Sequence, residues 1–176
     1  QNRFGHETNP ASVRDAGTPV SEITLAELLR DRGYRTSLIG KWHLGVLDEF
    51  HPMNQGFDEF FGFLHGAHTY FPEKARGQTL LRGREPAVET EYLTDAFARE
   101  AVSFIERNRD RPFFLCLSFN AVHTPIESSE KYLARFPQLA GPAKTYAGMI
   151  SAMDDAVGRV VGALRQHGLD ENTLLF

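Results

Sequence analysis

Residues 33–45 read GYRTSLIGKWHLG and contain the clearest strand pattern in the sequence. This stretch begins with a glycine, continues through a short run that ends in Leu38 and Ile39, and then places Lys41, Trp42 and His43 directly after a second glycine. A short apolar run bounded by glycines is typical of a strand. The stretch therefore predicts a strand over residues 34–39 with chemically active side chains at its carboxyl end.

The segments around this stretch predict an alternation of helices and strands. Residues 24–27, TLAE, form a capping-box pattern that predicts a helix ending near Gly33. A second helix is predicted over residues 94–108 with a buried strand over residues 113–119, and a third over residues 146–164 with a short strand over residues 173–176. The alternation favours an α/β domain whose mostly parallel sheet is covered by helices on both faces.

Two stretches rich in glycine and in aromatic, histidine or proline residues, 47–70 and 77–91, are predicted to be loop-rich. Both are longer than ordinary connections in a compact α/β domain. Such loops are often functional, and an insertion without function remains an equal alternative.

The composition limits the function classes. A chain of 176 residues with 41% hydrophobic content can bury a sizeable core, which favours one domain or a large part of one. The net charge of −4 comes without a basic stripe, which argues against nucleic-acid binding. The sequence contains no apolar run approaching the roughly 20 residues that cross a bilayer.

Candidate catalytic residues follow two of the predicted strands. If the strands are parallel, Lys41 and His43 emerge from the carboxyl end of one strand and His123 from that of another, although about 80 residues separate them. An ammonium group and two imidazoles at one sheet edge suit an anionic substrate. Lys41 could neutralise an oxyanion, and a histidine could protonate a leaving alcohol.

Simpler interpretations stand beside each candidate. A single lysine after a strand can be merely solvated, and a loop histidine can be purely structural. Trp42 is interpreted as a packing residue. His65 and His68 have a spacing that could hold a metal, but without a carboxylate or thiolate nearby the pattern is weak. Cys116 is predicted to be a buried core thiol.

Several stretches together resemble the type I sulfatases, in the same order and over essentially the whole chain. They are LAELLRDRGY, GYRTSLIGKWHLG, GFDEFFGFLHGAHTYF, RPFFLCLSFNAVHTP and YAGMISAMDDAVGRVVGALRQHGLDENTLLF. The resemblance implies the alkaline-phosphatase-like α/β sandwich and the hydrolysis of a sulfate ester to an alcohol and sulfate. Residues 1–176 would then be a partial catalytic domain, lacking the nucleophile segment before it and a metal-binding loop after it.

The resemblance also implies roles for single residues. Lys41 matches the lysine that contacts the sulfate and the catalytic aldehyde hydrate, His43 matches the histidine that holds the hydrate, and His123 matches the histidine near the leaving-group oxygen. His68 lies in the aromatic and histidine-rich loop that could line a carbohydrate-sized pocket, so it is predicted to bind substrate.

The family's cofactors are a calcium ion and a formylglycine made from Cys or Ser in a C/S-x-P/A-x-R motif. That motif does not occur in residues 1–176. Both groups are expected outside this segment, which is therefore expected to be inactive alone. The implied partner is an aryl or carbohydrate sulfate ester, in the periplasm, outside the cell or in the lysosome. A phosphatase or phosphodiesterase of the same superfamily, or a non-catalytic sulfatase-like binding module, remains an alternative.

Overall fold

The computed structural model describes residues 17–75 and 77–176. Five strands form one sheet in the order β4-β3-β2-β1-β5. The strands are β1 (Arg35–Lys41), β2 (Glu59–Phe63), β3 (Leu81–Arg82), β4 (Glu85–Pro86) and β5 (Phe113–Ser118). The α-helices are α1 (Leu25–Arg30), α2 (Leu93–Asn108), α3 (Glu130–Leu133) and α4 (Gly141–Gln166).

The predicted α/β fold is confirmed, and the sheet is mixed. The central strand β1 runs parallel to both of its neighbours, β2 and β5. The short strands β3 and β4 are antiparallel and extend the sheet beyond β2. The three parallel strands place their carboxyl ends at one edge, which we call the C-edge of the sheet.

A row of small residues crosses the three parallel strands just before they end. Gly40 of β1 pairs with Gly62 of β2 on one side and with Ser118 of β5 on the other. A Cβ atom at Gly40 would lie 1.9 Å from the Ser118 carbonyl oxygen, and one at Gly62 would lie 1.8 Å from the Gly40 oxygen. Only glycine allows this approach, so the row fixes where Lys41 leaves the sheet.

Helices cover both faces of the sheet, as predicted. On one face Ile39, Phe61 and Phe63 pack in a core cluster with buried residues of α2 and α4. On the other face Leu38 and Phe60 belong to a cluster with Ala26 of α1. Adjacent strand residues thus point to opposite faces, and both faces are apolar because both are covered.

The capping box of α1 is present. Thr24 Oγ1 accepts the Glu27 N–H at 3.1 Å, and Glu27 Oε2 accepts the Thr24 N–H at 2.7 Å. The two contacts satisfy amides that the first turn of a helix leaves without partners.

Three sequence-based predictions are corrected. The stretch 47–70 contains β2 and the stretch 77–91 contains the β3–β4 hairpin. Residues 173–176 form no strand, and Leu174, Leu175 and Phe176 are exposed, because no described strand pairs with them. Strand β5 is half-buried rather than buried, since β1 is its only strand neighbour in the described sheet.

Among the described helices, none is long and apolar enough to cross a membrane.

Candidate active site

Lys41 and His43 lie at the C-edge, beside the end of β2. Lys41 is the last residue of β1 and pairs with Phe63. Beyond Lys41, the segment after β1 and the segment after β2 stay side by side. The Trp42 N–H donates to the Phe63 carbonyl and the His43 N–H to the Leu64 carbonyl, both at 3.0 Å. Backbone pairing therefore continues through the motif and fixes the direction in which its side chains leave the sheet.

The His43 ring is placed by its own backbone and by Gly66. His43 has φ of 60°, in the left-handed region that non-glycine residues seldom adopt. A Cβ atom at Gly66 would lie 2.4 Å from His43 Nε2. The imidazole therefore lies directly against the backbone of the loop after β2, and that loop can admit the ring only where it carries a glycine.

Electrostatics show that four basic groups share this part of the C-edge. Burial lowers the pKa of His43 first, and the charges of Lys41, His123 and His65 lower it further. Burial also lowers the pKa of Lys41. The lowered pKa favours the neutral imidazole of His43 at neutral pH, because burial and the nearby positive charges both disfavour its protonation.

Lys41 has no acidic partner within residues 17–75 and 77–176, although most arginines there pair with carboxylates. The half-buried Lys41 ammonium, close to His43, creates a positive potential that no carboxylate of the described residues neutralises. Such a potential attracts an anion and stabilises charge that grows on it during a reaction.

His123 is exposed in the loop that follows β5, which we call the His123 loop (residues 120–127). Its Nδ1 lies 2.8 Å from the Thr124 carbonyl oxygen, so Nδ1 carries a proton and donates it there. This contact leaves Nε2 to exchange protons with a ligand, because a neutral imidazole has one donor and one acceptor nitrogen.

Trp42, between the two polar residues, points into the core. It is 8% exposed, its Nε1–H donates to the Phe50 carbonyl at 2.9 Å, and its ring meets that of Phe57 edge-on. The interpretation of Trp42 as a packing residue is confirmed. A large buried side chain between Lys41 and His43 anchors the segment that presents them.

His68 is buried, whereas Lys41 and His43 are half-buried and His123 is exposed. The ring is 1% exposed and packs against Phe63, and its Nδ1 lies 2.7 Å from the Thr69 carbonyl oxygen. Its Nε2 is buried without a partner among the described residues. His68 also lines a cavity of about 270 Å³ between the loop after β2 and the ends of the β3–β4 hairpin, together with Gln78, Glu89 and Thr90.

Several residues of the site were missed by the sequence analysis as functional elements. The sequence pattern relates His65 only to a possible metal pair with His68, whereas the charge of His65 acts on His43. Asn120 is buried directly after β5, donates from Nδ2 to the His68 carbonyl at 3.3 Å, and keeps its Oδ1 without a described partner. Its place at a strand end, like that of Lys41, was the signal that could have identified it.

The donors at the C-edge do not suit calcium. Calcium prefers carboxylate and carbonyl oxygens, whereas this site offers an ammonium group and imidazole nitrogens. Within the described residues, no cluster of three His, Cys, Asp or Glu side chains could hold a metal ion.

Cys116 cannot serve as the nucleophile here, since it lies within β5, where it packs against the cluster containing Leu38 and burial raises its pKa. It is half-buried, less than predicted.

Known proteins similar to this chain are sulfatases. The family model described as Sulfatase matches residues 1–176. N-acetylgalactosamine-6-sulfatase of Mus musculus is 32% identical over 197 residues, covering 99% of this chain and 37% of the relative. An arylsulfatase of Hemicentrotus pulcherrimus is 33% identical over 179 residues, covering 91% of this chain and 31% of the relative. The chain belongs to the sulfatase family, which in general uses calcium and formylglycine.

Solved structures show the same fold. The crystal structure of Ps i-CgsB in complex with k-i-k-neocarrahexaose has a TM-score of 0.85 and 36% identity, covering 91% of this chain and 40% of that one. The putative sulfatase yidJ from Bacteroides fragilis has a TM-score of 0.74 at 20% identity, covering 94% of this chain and 44% of that one. The fold is that of the alkaline-phosphatase-like sulfatases, and the chain spans less than half the length of these relatives.

Proposed function

We propose that the protein containing this chain hydrolyses sulfate esters, and that Lys41, His43 and His123 take part in the reaction. The observation that carries the proposal is a half-buried lysine without a described acidic partner next to His43, at the C-edge of a sulfatase-family sheet, with His123 and His65 near enough for their charges to act on His43. An anionic tetrahedral group fits this potential. A simple solvated lysine does not account for the same arrangement, because Lys41 lies half-buried at a strand end with no described carboxylate beside it.

Lys41 binds an oxygen of the sulfate group. Its ammonium offsets the negative charge that shifts onto the sulfate and leaving oxygens as the S–O bond breaks. Partial burial strengthens this attraction because water screens it less there. Lysine acts as a point charge in this role, so its position matters more than its orientation.

His43 is the proton acceptor of the site. Its pKa is lowered, so the ring is available as a base at neutral pH. The same burial that lowers the pKa keeps His43 Nε2 away from solvent, and no described residue bonds to it.

His123 is the proton donor to the departing alcohol. In its protonated form Nδ1–H donates to the Thr124 carbonyl and Nε2–H is free to give its proton to the bridging oxygen as the S–O bond breaks. The alcohol leaves neutral, and His123 becomes the neutral imidazole that must be reprotonated before the next turnover.

His68 is proposed to contribute to substrate binding from the wall of the 270 Å³ cavity at the same edge. Its lining is partly apolar, and it also offers amide, hydroxyl and carboxylate groups, which can pair with sugar hydroxyls. The similar Ps i-CgsB structure contains a neocarrahexaose, which supports a carbohydrate sulfate as the substrate. Calcium and formylglycine are proposed to come from other parts of the protein, which acts in the periplasm, outside the cell or in the lysosome.

The test uses the full-length protein with nitrophenyl sulfate and nitrophenyl phosphate as substrates. We expect faster turnover of the sulfate, and a loss of about a hundredfold for Lys41→Ala, corresponding to one lost electrostatic contact in the transition state. The melting temperature should stay close to that of the wild type. Faster turnover of the phosphate would favour a phosphatase, and no turnover of either ester would favour a binding module.

A further inference from the structure

The His123 loop depends on a hydroxyl group from a distant part of the chain. Tyr70 is completely buried, and its Oη lies 2.7 Å from the Asn120 carbonyl oxygen and 2.9 Å from the His123 carbonyl oxygen. One O–H donor thus lies between two acceptors of the same turn, which the His123 N–H closes by donating to the Asn120 carbonyl at 2.9 Å. The backbone at His123 is therefore held from inside the protein.

Tyr70 is itself fixed by the far end of the same loop. Glu127 Oε2 accepts the Tyr70 N–H at 2.8 Å and the Thr69 hydroxyl at 2.6 Å. The Tyr70 ring stacks on that of Tyr92, whose hydroxyl donates to the Glu127 carbonyl at 2.9 Å. The loop after β2 and the His123 loop are thereby tied together at both ends of the His123 loop.

The Tyr70 hydroxyl keeps its proton under all ordinary conditions. Burial raises the pKa of Tyr70, and the nearby Tyr92 and the Glu127 carboxylate raise it further. The hydroxyl is therefore a permanent donor, and its single proton is shared between the two carbonyls. Its contribution does not vary with pH in the range where histidines titrate.

The His123 side chain has little else to hold it. It is exposed, and its described polar contacts are with Thr124, its own neighbour in the chain. The position of its ring therefore follows from the position of its backbone. Displacement of a catalytic group by about 1 Å can cost as much as a hundredfold in rate.

We propose that Tyr70 is a positioning residue for His123, which it holds in place through the Asn120 and His123 carbonyls. The proposal rests on the proposed function, in which His123 protonates the leaving alcohol. Tyr70 does not touch the substrate. It acts through the backbone, so its effect should appear in the step that needs His123 and only weakly in substrate binding.

The experiment compares Tyr70→Phe with Tyr132→Phe in the full-length protein. Both variants lose one hydroxyl from a completely buried tyrosine, but the Tyr132 hydroxyl donates to Asp95 Oδ1 at 2.7 Å and makes no described hydrogen bond to the His123 loop. We expect Tyr70→Phe to lower kcat on an unactivated sugar sulfate by about tenfold, to lower it less on nitrophenyl sulfate, and to leave KM nearly unchanged. Tyr132→Phe should lower the melting temperature, and any change in kcat should be the same on both substrates.

A second readout is structural. Amide hydrogen exchange of residues 120–127 should become faster in Tyr70→Phe and stay unchanged in Tyr132→Phe. Unaltered exchange there, or equal kcat losses on the two substrates, would overturn the positioning role.

His123→Ala, measured in parallel, separates the two proposals. If His123→Ala lowers kcat by the same factor on both substrates, the proton-donor role in the proposed function is wrong. If His123→Ala lowers kcat more on the sugar sulfate than on nitrophenyl sulfate and Tyr70→Phe does not, the proposed function is supported and the positioning role of Tyr70 is wrong.

Discussion

The two halves of the candidate site are held in different ways. His43 is fixed by its neighbours: Gly66 lies against its ring, and its N–H is paired with the chain that follows β2. His123 is exposed, and its backbone is held by Tyr70, 53 residues away in the chain. The His43 half of the site therefore depends on close packing at the end of a strand, and the His123 half depends on a few long-range hydrogen bonds.

The largest effect is expected at Gly40, where close packing and a positive φ coincide. Gly40 has φ of +111° and no room for a Cβ atom, so Gly40→Ala in the full-length protein should separate β1 from β5 and destabilise the fold by more than about 3 kcal/mol. Denaturant unfolding or the yield of soluble protein measures this loss. Gly33→Ala is the matched control, because Gly33 has φ of +84° with nothing within 4 Å. It should cost only about 1–2 kcal/mol of backbone strain, and equal losses would contradict the packing explanation.

The next effect separates His43 from the stability of the sheet. In Gly66→Ala the new methyl group would meet the His43 ring, which can move, so activity should fall by about tenfold or more while the melting temperature changes little. Steady-state rates of Gly66→Ala, His43→Ala and the double variant test the cause. If the new methyl group acts through His43, the double variant should be no slower than His43→Ala. Additive losses would show that Gly66 acts in another way.

Trp42→Phe should lower stability and leave activity nearly unchanged, the opposite of Gly66→Ala. Trp42 is buried and donates to the Phe50 carbonyl, so the smaller ring leaves a gap and an unpaired acceptor and should cost about 1–3 kcal/mol of stability. The remaining activity of the folded enzyme should be close to normal. A rate loss larger than the loss at Gly66→Ala would mean that Trp42 contacts the substrate. Chemical denaturation and kcat measured on the same preparations decide the question.

The smallest effect is on the ionisation of His43. A histidine in a short peptide titrates near pH 6.5, and His43 in the full-length protein should titrate below it because of burial and the charges nearby. Since the unfolded chain then binds the proton more tightly, acidification below about pH 6.5 should lower stability through this group. NMR titration of labelled histidines should show the His43 pKa rising in Lys41→Ala. A pKa that does not move would contradict the electrostatic contact between them.

The first half of the site could be predicted from the sequence and the second only in part. Glycine, an apolar run and a cluster of polar residues at its end are neighbours in the chain, so residues 33–45 identify β1, Lys41 and His43 directly. The contact of Tyr70 with the His123 loop depends on residues about 50 positions apart, and no spacing pattern encodes it. His123 itself could be found only because it follows a strand.

The errors in the fold have a related cause. Strand β2 reads EFFGF, which lacks alternation because both of its faces are covered, and its flanking glycines and histidines resemble a loop. The strands of the β3–β4 hairpin contain two residues each, too few for a pattern. Residues 173–176 have a strand-like sequence but no described partner, and pairing rather than propensity makes a strand.

We propose that the His43 half and the His123 half form one site for sulfate-ester hydrolysis. Measuring how the kcat loss of His123→Ala in the full-length protein depends on the leaving group tests this proposal. We expect kcat to fall by roughly a hundredfold or more on an unactivated sugar sulfate and clearly less on nitrophenyl sulfate, because a nitrophenolate leaves without a proton. His167→Ala, at the end of α4, is the control and should change neither rate. Equal losses on both esters would assign His123 to sulfate binding, and no loss on either would contradict the account.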